Sequence, residues 1–88
     1  MRAVLDDEQM WIVFADVCKI LGYANPSDRA KCLQRDESKM LDVLLKNGLA
    51  RCVNQRGLFR FCCRSNKQNA MRFYRWAQKT IFCKEVIS

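Results

Sequence analysis

Apolar positions along this chain change their period from one stretch to the next, and each change marks an element. Residues 2–5 and 10–14 are apolar-rich runs around a polar Asp6-Asp7-Glu8-Gln9. Trp11, Val13 and Phe14 favour extended backbone, so this stretch predicts a β-hairpin. Then the period lengthens. Val17, Ile20 and Leu21 recur at i, i+3 and i+4, and Gly22 follows as a stop, which predicts a short helix over about 15–21. Asn25-Pro26-Ser27-Asp28 carries start signals: Asn25 can cap, Pro26 suits the first helical position, and Asp28 favours the positive helix end. A second helix is expected over about 26–34. The gap Gly22-Tyr23-Ala24-Asn25 has the spacing of a helix-turn-helix, which many helix pairs without DNA contact share. Residues 35–39 are polar and read as a loop. Residues 41–45 and 49–53 flank Asn47-Gly48, the strongest short hairpin signal.

Residues 58–64 read both ways. Phe59, Phe61 and Cys63 alternate as in a strand, while Leu58, Phe61 and Cys62 mark one helical face. Residues 69–83 are clear: Ala70, Phe73, Ala77 and Ile81 recur at helical spacing, with Tyr74 and Trp76 on the flanks. Phe73 and Trp76 are expected in the core. Arg72, Arg75 and Lys79 fall on the opposite side.

Charge sharpens this picture. The 88 residues hold 16 Lys+Arg and 9 Asp+Glu, a net +7, but the two halves differ. Residues 1–44 carry 6 basic and 8 acidic side chains; residues 45–88 carry 10 basic and 1 acidic. A face shaped only for solubility mixes both signs. Uncompensated repulsion of this density is tolerated best where a polyanion neutralises it. Half the residues are hydrophobic, too many for a disordered tail, and the length allows one domain, 1–88.

The chain has no His, which removes the commonest general base and metal ligand. With a single acid in the basic half as well, an enzyme is not expected. The six cysteines, Cys18, Cys32, Cys52, Cys62, Cys63 and Cys83, contain no Cys-x-x-Cys pair. Free, mostly buried thiols are expected rather than zinc or disulfides, with no metal and no cofactor. The longest apolar run near the N-terminus, 10–15, is too short for a signal-peptide core or a membrane span, which predicts an intracellular protein without membrane contact.

The segment from Trp11 through Asp16-Val17, Leu21-Gly22-Tyr23 and Asn25-Pro26 resembles the opening of the Bro-N domain of baculovirus repeated-ORF (BRO) proteins and related phage antirepressors. Asp36-Glu37-Ser38-Lys39 resembles the family's acidic turn. Asn54-Gln55-Arg56-Gly57-Leu58-Phe59-Arg60 resembles its Asn-Glu-x-Gly-Leu-Tyr, and Arg64-Ser65 followed by Ala70…Phe73…Arg75-Trp76 resembles its closing pattern. Gln55 replaces the usual acid, and Cys83 stands where the family often has Pro, which marks a divergent member. Family members usually continue beyond this domain, so the chain reads as a fragment or a minimal member.

The resemblance implies a helix over 58–64, which aligns Arg56, Arg60 and Arg64. It also implies structural roles for Asp16 at a helix start and for Gly22 and Gly57 at turns. The expected fold is a single small α+β domain of two short β-hairpins with about four short helices, including a helix-turn-helix-like pair. The implied function is binding of DNA, or RNA, in viral or host gene regulation, in the nucleus or cytoplasm of an infected cell. Expected nucleic-acid contacts are Arg56, Arg60, Arg64, Lys67, Arg72, Arg75 and Lys79, with Arg29, Lys31 and Gln34 of the second helix as base readers. The alternative is an antirepressor-type protein-interaction module or homo-oligomer, touching its partner through 10–14 or the cysteine-rich segment. Salt separates the two, because phosphate binding falls steeply with ionic strength.

Overall fold

The computed structural model describes residues 2–45 and 48–82. Both expected hairpins form. β1 (Ala3–Asp6) and β2 (Gln9–Val13) turn through Asp7 and Glu8, whose φ angles of 53° and 64° give the doubly left-handed turn that suits the twist of paired strands. β3 (Ser38–Leu45) pairs with β4 (Gly48–Val53), with an irregularity between Asp42 and Leu45. Gly48 is left-handed at φ 93°, while Asn47 of the expected turn lies outside the described residues. The two hairpins are not separate units. Ile12 pairs with Val53 and Val13 with Cys52, which joins them into one antiparallel sheet of order β1-β2-β4-β3.

The pleat divides that β2–β4 contact between two faces. Ile12 and Val53 face the helices and join the main core. Val13 and Cys52 face the other way and form a smaller core with Trp11, flanked by Val4, Leu41 and Ala50. Lys39 closes this second core. Its ammonium stands 4.5 Å from the Trp11 ring centroid and pairs with Asp6. Lys39 and Asp6 come from the two outer strands, so the sheet curls until its edges share an ion pair.

α1 (Phe14–Leu21) follows β2 directly and ends where Gly22 takes φ 88°. It buries Phe14, Val17, Cys18 and Leu21. Asp16, in its first turn, accepts the Arg2 backbone N–H at 2.9 Å and hydrogen bonds from the Arg2 Nη2 and Nε at 2.9 and 3.0 Å. That bond to Arg2 holds the Asp16 carboxyl below the usual carboxylate range. The second helix is shorter than its start signals implied. α2 (Pro26–Arg29) is one turn, continued by a 3-10 turn over Ala30–Cys32, and the Asn25 side chain does not cap it. The helix-turn-helix-like pair is present as α1 and α2, but a four-residue helix is only ~6 Å long. The major groove is about 12 Å wide, so α2 is not a groove-length reading helix.

The ambiguous stretch is helical: α3 runs over Gln55–Arg64 and buries Gly57, Leu58, Phe61 and Cys62. Asn54 starts it, accepting the Gly57 N–H at 2.9 Å while its amide donates to the Asp36 carbonyl at 2.9 Å. Gly57 sits inside this helix rather than at a turn. α4 (Ala70–Thr80) lies against α3, with Phe59 and Tyr74 rings 5.1 Å apart. Its inward line is Ala70, Tyr74 and Ala77.

Candidate nucleic-acid interface

α3 does align Arg56, Arg60 and Arg64, yet the three arginines differ in what they meet. Arg60 turns into the fold: its Nε lies 2.8 and 3.0 Å from the two carboxylate oxygens of Glu37. Glu37 is only 1% exposed and also accepts the Gln34 N–H at 2.9 Å. The Arg60 guanidinium holds the Glu37 carboxyl below the usual carboxylate range, against the opposing effect of burial. Arg60 is thus engaged as a structural cation, contrary to its expected place on a free phosphate-binding row. Arg56 reaches Asp36 at 3.4 Å in an exposed pair. Arg64 is exposed and lines a cleft at the end of α3.

The Arg60–Glu37 pair predicts an unusual pH response. Glu37 stabilises the fold above its unfolded pKa of about 4.5, and this is lost as pH falls through the lower folded value. Without Arg60, burial is the largest influence left and pushes the carboxyl up, opposed by the Gln34 N–H and Arg56. Arg60→Ala is therefore expected to melt below the wild type near pH 7 and to recover part of the deficit by about pH 5. Thermal melts at the two pH values test this. An equal deficit at both would mean that Glu37 is not left uncompensated.

A second group was not legible as a group in the sequence. Tyr23, just beyond α1, has the Arg29 guanidinium carbon 4.6 Å from its ring centroid and the Lys67 ammonium 5.1 Å from it. Its hydroxyl shares a 2.5 Å hydrogen bond with Ser65, and Ser65 accepts the Lys67 N–H at 3.1 Å. A cleft of about 420 Å³ opens here, lined by Tyr23, Asp28, Arg29, Lys31, Arg64 and Ser65 among others. Cations from both halves of the chain so converge on one tyrosine. Asp28 offsets one of them, pairing with Lys31 at 3.3 Å. Gln34 is apart from this group, exposed in the loop after the 3-10 turn. Arg29, Lys31 and Gln34 therefore do not form one helical reading face.

The third group is the outer side of α4. Arg72, Arg75 and Lys79 are all exposed, as the periodicity implied. Trp76 is not the core residue that was expected. It is 49% exposed and lies on the side of those cations. Phe73 is half-buried against the core and carries the indole, with centroids 5.8 Å apart and planes 32° from parallel.

The BRO family N-terminal domain, Bro-N, matches residues 1–83. The chain belongs to the BRO family. Neither a curated protein nor a solved structure matches it. In this Bro-N domain the segments that carry the family pattern meet in space. The Asn54 amide and the Arg60 guanidinium tie the acidic turn Asp36-Glu37 to α3, and Gly57 lets that turn come close. Leu21 packs in the core with Phe61, and Tyr23 stands beside the Phe61 ring at 5.4 Å. The family pattern is thus largely a packing and capping pattern here.

The contact surfaces expected of a protein-interaction module fare unevenly. Residues 11–14 are buried, and β2 pairs with β1 from Gln9 to Ile12 but with β4 only at Ile12 and Val13. Five cysteines of the Bro-N domain are described, all as free thiols; Cys83 lies outside the described residues. Burial pushes the Cys18 thiol up to about 11 and that of Cys62 to about 12, and raises Cys52 as well. These three stay protonated and covered at neutral pH, whereas Cys63 is exposed. Brief alkylation of the native protein with mass-spectrometric mapping should modify Cys63 and spare Cys18, Cys52 and Cys62. Early labelling of Cys62 would contradict the packing of α3. Among the described residues no group of three His, Cys, Asp or Glu could hold a metal ion, and no helix is long and apolar enough to cross a membrane.

Proposed function

We propose that this Bro-N domain binds nucleic acid through two basic surfaces and serves as the DNA-binding part of a regulator of viral or host transcription. One surface is the Tyr23 cleft with Arg29, Arg64 and Lys67, and the other is the outer face of α4 with Arg72, Arg75 and Lys79. The observation that carries this reading is where the acids go. Asp6, Asp16, Asp28, Asp36 and Glu37 pair with Lys39, Arg2, Lys31, Arg56 and Arg60. Five of the eight acids in residues 1–44 are engaged by those cations, whereas Arg64, Arg72 and Arg75 meet no acid among the described residues. Phosphates supply the missing negative charge, and contacts to them confer affinity without sequence information.

The domain acts inside the infected cell on this reading, with RNA as an alternative polymer. Titration against duplex and single-stranded DNA and RNA at several salt concentrations is the test. If about three phosphates are neutralised, log K should fall with log salt at a slope near −3. Affinity for a protein partner that hardly responds to salt, with no nucleic-acid binding at low salt, would favour the interaction module instead.

A further inference from the structure

Trp76 is a large apolar side chain left half in water on the basic outer face of α4. Of the other exposed apolar side chains, Leu5, Met40 and Leu49 lie on strands of the hairpins, Ile20 lies on α1, and Phe59 lies on α3 with its ring against Tyr74. Trp76 stands instead among cations: Arg72 is one turn before it, Arg75 is its neighbour, and Lys79 is one turn after. From Arg72 to Lys79 the helix rises ~10 Å, which three stacked nucleotides of one strand match at about 3.4 Å each. Phe73 backs the indole and is itself anchored on the core, so the ring is supported rather than loose.

We infer that Trp76 is a stacking platform for an unpaired nucleobase, with Arg72, Arg75 and Lys79 holding the phosphates on either side. This rests on the nucleic-acid reading above and adds the class of ligand: a single strand, or a loop or end with an unstacked base. In a duplex both faces of each base are covered by its neighbours, and a side chain on a helix surface reaches only edges and phosphates. In a single strand each base has a free π-face, and a supported indole flanked by cations is complementary to it. Charge complementarity argues for this occupant over an apolar protein surface, which would leave Arg72 and Arg75 desolvated.

The chain has two tryptophans, and the other, Trp11, is buried in the small core on the far face of the sheet. A change of indole emission on binding therefore reports Trp76. The probes are a short oligothymidylate, an abasic strand of the same length and a duplex of the same length, at one salt concentration. Binding is followed by anisotropy of the labelled strand and by tryptophan emission. Oligothymidylate should quench emission, and the abasic strand should bind more weakly without quenching. Trp76→Leu, which keeps apolar bulk, should lose about tenfold in affinity for oligothymidylate and little for the abasic strand or the duplex. Trp76→Phe should restore most of the loss, and both variants should melt near the wild type.

If Trp76→Leu binds oligothymidylate as the wild type does, stacking is overturned while phosphate binding stands. Equal weakening toward all three probes would also overturn it, since the residue would then only support the fold. Emission that shifts with protein concentration alone would assign the indole to a second copy of the chain. If no probe binds even at low salt, the nucleic-acid reading fails and this inference fails with it.

Discussion

A protein carrying Gly57→Ala is expected to melt about 5–20 °C below the wild type, from ~1–3 kcal/mol of overpacking in a domain of this size. A Cβ at Gly57 would stand 2.7 Å from the Glu37 carbonyl oxygen and 3.0 Å from the Glu37 Cβ. The nearer atom is backbone and has little room to give. The Asn54 N–H donates to that same carbonyl at 3.1 Å, and the Asn54 amide holds the carbonyl of Asp36. Glu37 is held through its side chain by Arg60 as well. The opposing effect is helix propensity, which favours Ala over Gly within a helix by about 1 kcal/mol. Sterics should win, because relieving the clash means moving either the start of β3 or the first turn of α3. Thermal melts of the two proteins decide it. An unchanged or higher melting temperature would mean that the acidic turn is free to shift.

Replacing Arg72, Arg75 and Lys79 together by Gln should change binding far more than folding. Of the three phosphates shared by the two surfaces, one or two contacts should disappear, so the slope of log K against log salt should flatten by roughly 1–2. At 0.1 M salt the affinity should drop between about tenfold and a hundredfold, alike for all sequences. The melting temperature should hold or rise, since three neighbouring like charges are removed from an exposed face. The competing expectation is that these side chains pair with the acidic half and support the fold. Asp36 and Glu37 are instead met by Arg56 and Arg60, and Asp6 by Lys39. Exposed pairs would in any case be worth only ~0–1 kcal/mol each. A triple variant that melts lower, with full affinity and the original salt slope, would remove α4 from the binding surface.

Local periodicity carries what local geometry decides. The alternation on either side of Asp7-Glu8, the Gly22 stop, the Asn47-Gly48 signal and the outward line of Arg72, Arg75 and Lys79 were all legible. Each depends on residues two to four apart, where backbone repeat and side-chain direction are coupled. For residues 58–64 the two periods competed, and the family resemblance supplied the helix. Where a side chain finds its partner is another matter. Glu37 and Arg60 are 23 residues apart, and no period relates them. Their contact exists because Asn54 and Gly57 let the acidic turn close on α3, and it removes Arg60 from the expected row.

The same holds for Tyr23, which gathers Arg29 and Lys67 only once α1 and the segment after α3 are packed. For α4, helical spacing itself sets Trp76 four residues after Arg72 and three before Lys79, on the cationic side rather than on the flank of the stripe. Packing decided between Phe73 and Tyr74: Tyr74 is buried with its ring against Phe59 of α3, and Phe73 is half-buried. The sequence by itself determined the elements, the stop signals and the basic half. Tertiary packing alone decided which cations are spent on acids and which ring of α4 is buried against α3, because both depend on neighbours that only the folded chain brings together.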